Sequence, residues 1–375
     1  HCPSPTLPVP GRESRALPAK PDAVPRPIFG PEGGSRGVRP ARPIPFPAER
    51  KNTNMPNMTV YFTDYTIADE LDIEQSVLGP AGFQIIRAEC SSEQDVLDTI
   101  AGVDPVAMVA QWAPITAAVL ELCPNLKVIS RNGIGVDNID LDYCRQHGIA
   151  VLNSPSYCIP EVADHAVALA LALLRKLVVT TDRVRAGEWG LGGLAPMHRL
   201  CELTYGVVGM GAIGRAVVRR ARPFFKDVIG HDPYTPVVEV DGTPVEMVSF
   251  EDLLARSDVV DLHVPGTDET RHMLNAEAFS RMKPSAYVIN TSRGMIIDTN
   301  ALVEALRDGR IAGAGLDVHE QEPLPMDHPL RDFPQVIITP HTAFYSAEAV
   351  TQLREETVLN IVRFMAGEPP LNRVV

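Results

Sequence analysis

Three residues late in the chain carry the side chains that reduction of a carbonyl group requires. Each stands at or just beyond the end of an apolar, strand-like run: Arg293 closes AYVINTSRG, Glu322 follows GAGLDV, and His341 closes QVIITPH. A ketone that accepts a hydride also needs a proton donor at its oxygen and a cation to orient a neighbouring carboxylate. A guanidinium is planar and permanently charged, and clamps a carboxylate through two parallel hydrogen bonds. A carboxylate beside an imidazole favours its protonated form, which can donate to a forming alkoxide. Singly, these residue types have plainer uses as surface ion pairs, solvated loop charges or loop hydrogen-bonding groups. Their placement at the ends of successive strand-like runs points to one site, because open α/β sheets bind ligands there. Asp317, at the end of GAGLDV, and Glu320, just before Glu322, belong to the same stretch.

A nucleotide would supply the hydride. TYGVVGMGAIG holds Gly209, Gly211 and Gly214 as G-x-G-x-x-G, directly after a strand-like run and opening a helical one. The first glycine permits a tight turn, the second lets backbone approach a pyrophosphate, and the third allows close helix–strand packing. The helix N-terminus adds free N–H groups and a positive dipole end. Asp232 ends the next strand-like run, 23 residues after Gly209, and no arginine directly follows it. A carboxylate there accepts hydrogen bonds from ribose hydroxyls and repels a 2′-phosphate, so NAD is expected over NADP.

These residues need strands to hold them, and the pattern from Met58 onward supplies two series. TVYF, QIIRA, VAMVAQW, LKVISR and IAVLN come first; TYGVVGM, DVIGHD, VVDLHV, AYVINTS, IAGAGLDV and QVIITPH follow, with helical stretches between most of them. Alternation of this kind implies βαβ units and parallel sheets. The expected fold class is α/β with two doubly wound domains. EVADHAVALALALLRKL, residues 161–177, reads as a connecting helix. The amphipathic run 347–367 could return to pack on the first domain.

Composition bounds the rest. At 375 residues, with 45% hydrophobic and 22% charged residues, the chain suits a two-domain globular protein. A formal net charge of −13 argues against nucleic acid as a partner. The six cysteines are scattered with no C-x-x-C pair, and free thiols in a reducing cytosol are expected. No apolar stretch is long enough to span a bilayer and no signal peptide is evident, so a cytoplasmic protein without a membrane partner is expected. No His, Cys, Asp or Glu cluster has metal-ligand spacing. Residues 1–54 hold 13 of the 34 prolines and nine Lys/Arg against four Asp/Glu, which reads as a disordered tail. Met55 or Met58 offers a natural start, with the tail an upstream extension. A basic partner-binding tail is the alternative.

RNGIGVDNIDL, EVADHAVALALALLRKL, GVVGMGAIGRAV with Asp232, NTSRGMIIDTNAL, GAGLDVHEQEPL and TPHTAFYS together resemble the D-isomer-specific 2-hydroxyacid dehydrogenase family, in the expected order over about five-sixths of the chain. The resemblance implies a flavodoxin-like substrate domain, residues 55–157 plus 347–375, and a Rossmann NAD-binding domain, 158–346. It implies hydride transfer between NAD(H) and a small 2-keto or 2-hydroxy acid of D configuration, by a homodimer joined through the cofactor domain. The family's catalytic arginine, glutamate and histidine fall on Arg293, Glu322 and His341; Glu320 competes for the glutamate role, but the family's spacing favours Glu322. The nicotinamide-carboxamide aspartate falls on Asp317. Ala212 and Ile213 lie in the pyrophosphate turn, and Pro265 and Thr291 would line the cofactor cleft. Gly133, Ile134 and Gly135 match a loop whose N–H groups hold the substrate carboxylate, as glycine-rich turns can.

Two features separate this chain from phosphoglycerate dehydrogenases. Their phosphate-holding arginine falls on Ala110 here, followed by Gln111 and Trp112, which would face the substrate; their extra regulatory domain is not expected. LDVHEQEPL and TPHTAFYSAEA look closest to the C-terminal-binding-protein branch. That branch supplies an alternative function, an NAD(H)-sensing corepressor scaffold with little turnover.

Overall fold

The computed structural model describes residues 58–65, 70–194 and 196–375, so the expected disordered tail, residues 1–54, lies outside the described residues. The first sheet holds β1 (Met58–Phe62), β2 (Phe83–Arg87), β3 (Ala107–Ala110), β4 (Val128–Arg131) and β5 (Ala150–Leu152). Its order, β2-β1-β3-β4-β5, is the flavodoxin-like order, and every ladder is parallel. The second sheet holds β6 (Thr204–Val208), β7 (Asp227–His231), β8 (Val238–Val240), β9 (Thr243–Met247), β10 (Val259–Leu262), β11 (Tyr287–Asn290), β12 (Gly313–Leu316) and β13 (Val336–Ile338). These run β13-β12-β11-β10-β6-β7-β9-β8, with the order reversing between β6 and β10 as in nucleotide-binding sheets.

Register decides where the functional residues emerge. Val208 pairs with Leu262, Leu262 with Asn290, Asn290 with Leu316, and Leu316 with Ile338. The next residue of each strand, Gly209, His263, Thr291, Asp317 and Thr339, therefore begins a row of loops along one sheet edge. In the first sheet Ala110 pairs with Arg131, which brings Gln111 and Asn132 side by side. The central strands β3, β4, β10, β11 and β12 are buried throughout, as parallel sheets covered on both faces must be.

The expected connecting helix, residues 161–177, forms over Ile159–Leu174, and a second helix, Leu177–Arg185, follows it. Ile159–Leu174 packs its Ala- and Leu-rich face on the helix Ala212–Ala221 and on β11 and β12. Between the two helices Lys176 adopts a left-handed backbone, φ 52°. The antiparallel strand pair β8–β9 is an addition that the strand pattern did not single out. Its turn, Asp241-Gly242, has φ of 52° and 74°, the conformation for which Asp-Gly is favoured in two-residue hairpins.

The long helix Ala347–Met365 packs against the helix Asp72–Leu78 and β4 and buries Leu353, Val358 and Ile361. An ion pair pins it there: Arg354 Nε and Nη2 donate to the two oxygens of Glu74 at 2.7 and 2.6 Å. Glu74 is 1% exposed, so without Arg354 it would be a buried, uncompensated charge. Arg354→Met should lower the free energy of unfolding by about 3 kcal/mol, the lower end for a broken buried pair because Arg354 keeps some contact with water. Urea unfolding measures this, and a loss below about 1 kcal/mol would class the pair with exposed ones.

Candidate active site

A cleft of about 780 Å3 opens where the C-terminal strand ends of the two sheets face each other. From the first sheet come Gln111 and Trp112, Arg131, and the loop Gly133-Ile134-Gly135; from the second come Pro265, Thr291, Arg293, Asp317 and His341. Ile213 also reaches the wall from the glycine turn. The residues expected to act on substrate and cofactor thus share one cleft, except that Glu322 stands behind His341, and Gly209, Gly211, Ala212, Gly214 and Asp232 do not line it.

The turn after β6 fits a dinucleotide. Gly209 has φ 93°, and a side chain there would come within 2.5 Å of the His263 carbonyl oxygen. Gly214 lies against the Gly209 carbonyl, which seats the helix Ala212–Ala221 on the strand. Gly211, by contrast, has open space where a side chain would stand, so the helix N-terminus is bare toward the side a phosphate would approach. Ala212 opens that helix, one residue before Ile213. Asp232 follows β7 and accepts from Met210 N at 2.8 Å and Tyr234 N at 2.9 Å, which places its carboxylate beside the turn.

His341 is held in a costly conformation. Its backbone is left-handed, φ 54°, which an L residue adopts only where its surroundings impose it. Those surroundings are Asp317. His341 N donates to the Asp317 carbonyl at 2.8 Å, and the buried Asp317 carboxylate accepts from Thr342 N at 2.9 Å, Ala343 N at 2.8 Å and Thr339 Oγ1 at 2.5 Å. The residue expected at the nicotinamide carboxamide therefore also anchors the histidine's loop. The His341 ring turns Nδ1 to Glu322 Oε2 at 2.8 Å, leaving Nε2 for the cleft. Burial alone would raise the pKa of Glu322, but its hydrogen bond to His341 and the charge of that ring, with the His319 amide, outweigh burial and hold it below the usual carboxylate range. Glu320 serves elsewhere: it pairs with His272 Nε2 at 2.6 Å and accepts from Thr299 N at 3.1 Å.

Arg293 lies against the glycine loop from the other sheet. A side chain at Gly135 would overlap its guanidinium, so only glycine lets the two meet. Arg293 Nε donates to Asp137 at 3.0 Å; burial would raise this aspartate, but the arginine outweighs burial and lowers it.

Sequence reasoning missed Asp137 and Arg131. Arg131 ends β4, is buried, and lines the cleft with its guanidinium 5.6 Å from the Trp112 ring centroid. Its Nε has no hydrogen-bond partner among the described residues, and burial, with help from the charge of Arg293, pulls its pKa down to about 10. Both residues lie in or beside RNGIGVDN, so the signal was present, but a strand-terminal arginine carries no mark of burial. Arg131 and Arg293 both line the cleft, and such guanidiniums suit an anionic substrate.

The chain matches the family model described as D-isomer specific 2-hydroxyacid dehydrogenase, NAD binding domain, over residues 167–343. It is 41% identical over 264 residues to the glyoxylate reductase of Korarchaeum cryptofilum, covering 70% of this chain and 80% of that protein. To the D-3-phosphoglycerate dehydrogenase of Mycobacterium leprae it is 34% identical over 303 residues, 80% of this chain but 57% of that protein. Among solved structures, D-lactate dehydrogenase from Aquifex aeolicus, complexed with NAD and lactic acid, is similar with a TM-score of 0.74 at 32% identity. The match covers 82% of this chain and 96% of that one.

The depressed pKa of Glu322 leaves a signature in stability. A carboxylate below its unfolded value, about 4.3 for glutamate, contributes stability that is present above that value and is lost as pH falls through the folded one. Wild type should exceed Glu322→Gln in unfolding free energy at neutral pH and lose that advantage between about pH 5 and 3. Urea titrations across this range test it; a difference independent of pH would show that His341 does not hold the carboxylate ionised.

Proposed function

This chain belongs to the D-isomer-specific 2-hydroxyacid dehydrogenase family, and from that premise we propose which of its residues carry the reaction. Members of the family, this chain included, are NAD-dependent oxidoreductases that interconvert 2-keto and 2-hydroxy acids. NAD(H), when bound, would supply or take up the hydride at the substrate's C2. The glycine turn Gly209–Gly214 and the helix it opens hold the pyrophosphate, and Asp232 accepts from the ribose hydroxyls. The N–H groups of Gly133–Gly135, with Arg293, seat the substrate carboxylate. His341 Nε2 gives a proton to the carbonyl oxygen in reduction and removes it in oxidation. Glu322 keeps the ring turned. Asp317 fixes the loop beneath it and lies beside the nicotinamide end, with Pro265 and Thr291 along the wall.

The observation that carries this reading is the Glu322–His341 pair opening onto the same cleft as Arg293, next to the glycine turn. The relatives named above are reductases and dehydrogenases, and none of them supports the corepressor alternative. A paired experiment tests the assignment. His341→Ala should lower turnover of a 2-keto acid at least about a hundredfold, the usual scale for a general acid, with NADH affinity nearly intact. Asp232→Ala should do the reverse, weakening NADH and relaxing discrimination against NADPH. Full activity of the first variant would reassign the proton donor; unchanged preference in the second would remove Asp232 from the ribose site.

We further infer a homodimer formed through the cofactor-binding half. Leu177, Val178 and Val184 on the helix Leu177–Arg185 are exposed, and Trp189 and Leu191 just beyond it are 90% and 85% exposed. Clustered apolar exposure of this kind marks an association surface. Sedimentation should return the mass of two chains for wild type and of one for Trp189→Asp; a wild-type monomer would refute the dimer. The buried free thiols Cys90, Cys123, Cys144 and Cys158 suit a reducing compartment, and we place the protein in the cytoplasm. No helix among the described residues is long and apolar enough to cross a membrane.

A further inference from the structure

We propose that Asp64 is a positioning residue for Trp112, and that Trp112, so held, limits the length of 2-keto acid the cleft accepts. The inference rests on the dehydrogenase reading above and adds a substrate class to it.

The chain leaves β3 at Ala110, and the N–H groups of the next three residues have no strand to pair with. Asp64, two residues beyond β1, takes all three. Its carboxylate accepts from Gln111 N at 3.3 Å, Trp112 N at 3.2 Å and Ala113 N at 3.0 Å, and the Thr63 hydroxyl donates to it as well. A left-handed backbone at Asp64, φ 63°, turns the carboxylate back over the loop. From the other side Asn138 Nδ2 donates to the Ala113 carbonyl at 2.9 Å and the Gln111 carbonyl at 3.4 Å. The Gln111 side chain is tied to Asn132 Nδ2 at 3.2 Å. All three amides and two of the three carbonyls of this loop are thus bonded by two fixed side chains, which holds the loop far more tightly than solvent would.

What the loop presents is an indole. Trp112 stands edge-on to His341, ring centroids 4.9 Å apart at 74°, and the Arg131 guanidinium lies over its ring. It is 46% exposed, a large apolar surface left facing the cleft instead of the core. A wall in van der Waals contact with the proton donor is adjacent to the carbon that accepts the hydride. The substituent on that carbon must therefore abut the indole. Short substituents fit beneath it, and long or branched ones meet it. One methylene too many in such a contact is discriminated by about 10- to 200-fold.

The test uses the full chain with NADH and four acids: glyoxylate, pyruvate, 2-ketoisocaproate and phenylpyruvate. Wild type should prefer the two short acids. Trp112→Ala should raise the kcat/KM ratio of long to short acids at least about tenfold. Asp64→Ala should move the ratio in the same direction by about threefold or more, with NADH affinity unchanged, and Asp64→Asn, which keeps one acceptor oxygen, by less. In the Trp112→Ala background, Asp64→Ala should change the ratio no further, because a residue that acts through the indole has nothing left to place. A ratio unmoved by Trp112→Ala, or an Asp64 effect that persists without the indole, overturns the inference while leaving the dehydrogenase reading intact. If Asp64→Ala does not fold, Asp64→Asn carries the same comparison. Wild type that reduces none of the four acids overturns both.

Discussion

The hydrogen bond from His341 Nδ1 to Glu322 gives the cleft its direction. An imidazole on a loop can turn either nitrogen to the substrate, and a carboxylate fixed behind it removes that choice. Fixing the carboxylate is not sufficient, because the loop itself must hold a left-handed residue. Asp317 supplies that constraint through the amides of Thr342 and Ala343 and the hydroxyl of Thr339. Asp317 in turn is where it is because Leu316 pairs with Asn290 and Ile338. Parallel-strand register, a buried carboxylate and a strained backbone are successive steps toward one oriented ring.

The second demand on the fold is convergence of groups from two sheets. Arg293 leaves the end of β11, yet its partners are Asp137 and the glycine loop beyond β4. Gly135 is the point of closest approach. The helices Ile159–Leu174 and Ala347–Met365 run beside this junction, one on the nucleotide-binding sheet and the other on the first. The buried Arg131 and the Asp64 clamp extend the same logic to the substrate end. Each uses a charged side chain to place or charge a wall, and each would be destabilising without its neighbours.

Much of this was legible in the residues alone. The glycine turn, Asp232, Arg293 and His341 stand at strand ends, and residue type with position was enough to gather them. Glu322 and Glu320 were harder to separate, since both are loop glutamates; what divides them is that His272 and Thr299 N claim Glu320. Asp317 was recognisable as a strand-end residue, and it lines the cleft, but its role as an anchor was not legible, because most of its partners are backbone amides that carry no sequence signal. Asp64 was invisible for the same reason, its three donors lying 47 to 49 residues away. The helix expected over 161–177 was legible, and the left-handed turn that follows it falls at Arg175-Lys176, where the apolar run is interrupted. The β8–β9 pair left a trace, the Asp241-Gly242 turn between Val-rich segments, which the strand pattern passed over.

The most direct test of the account is a crystal structure with NAD and oxamate, an isostere of a small 2-keto acid. The account predicts the oxamate carboxylate on the amides of Gly133–Gly135 and on Arg293, with the adjacent carbonyl oxygen at hydrogen-bond distance from His341 Nε2 and Glu322 still on Nδ1. Oxamate bound with His341 turned away, or seated on groups other than these, would contradict it.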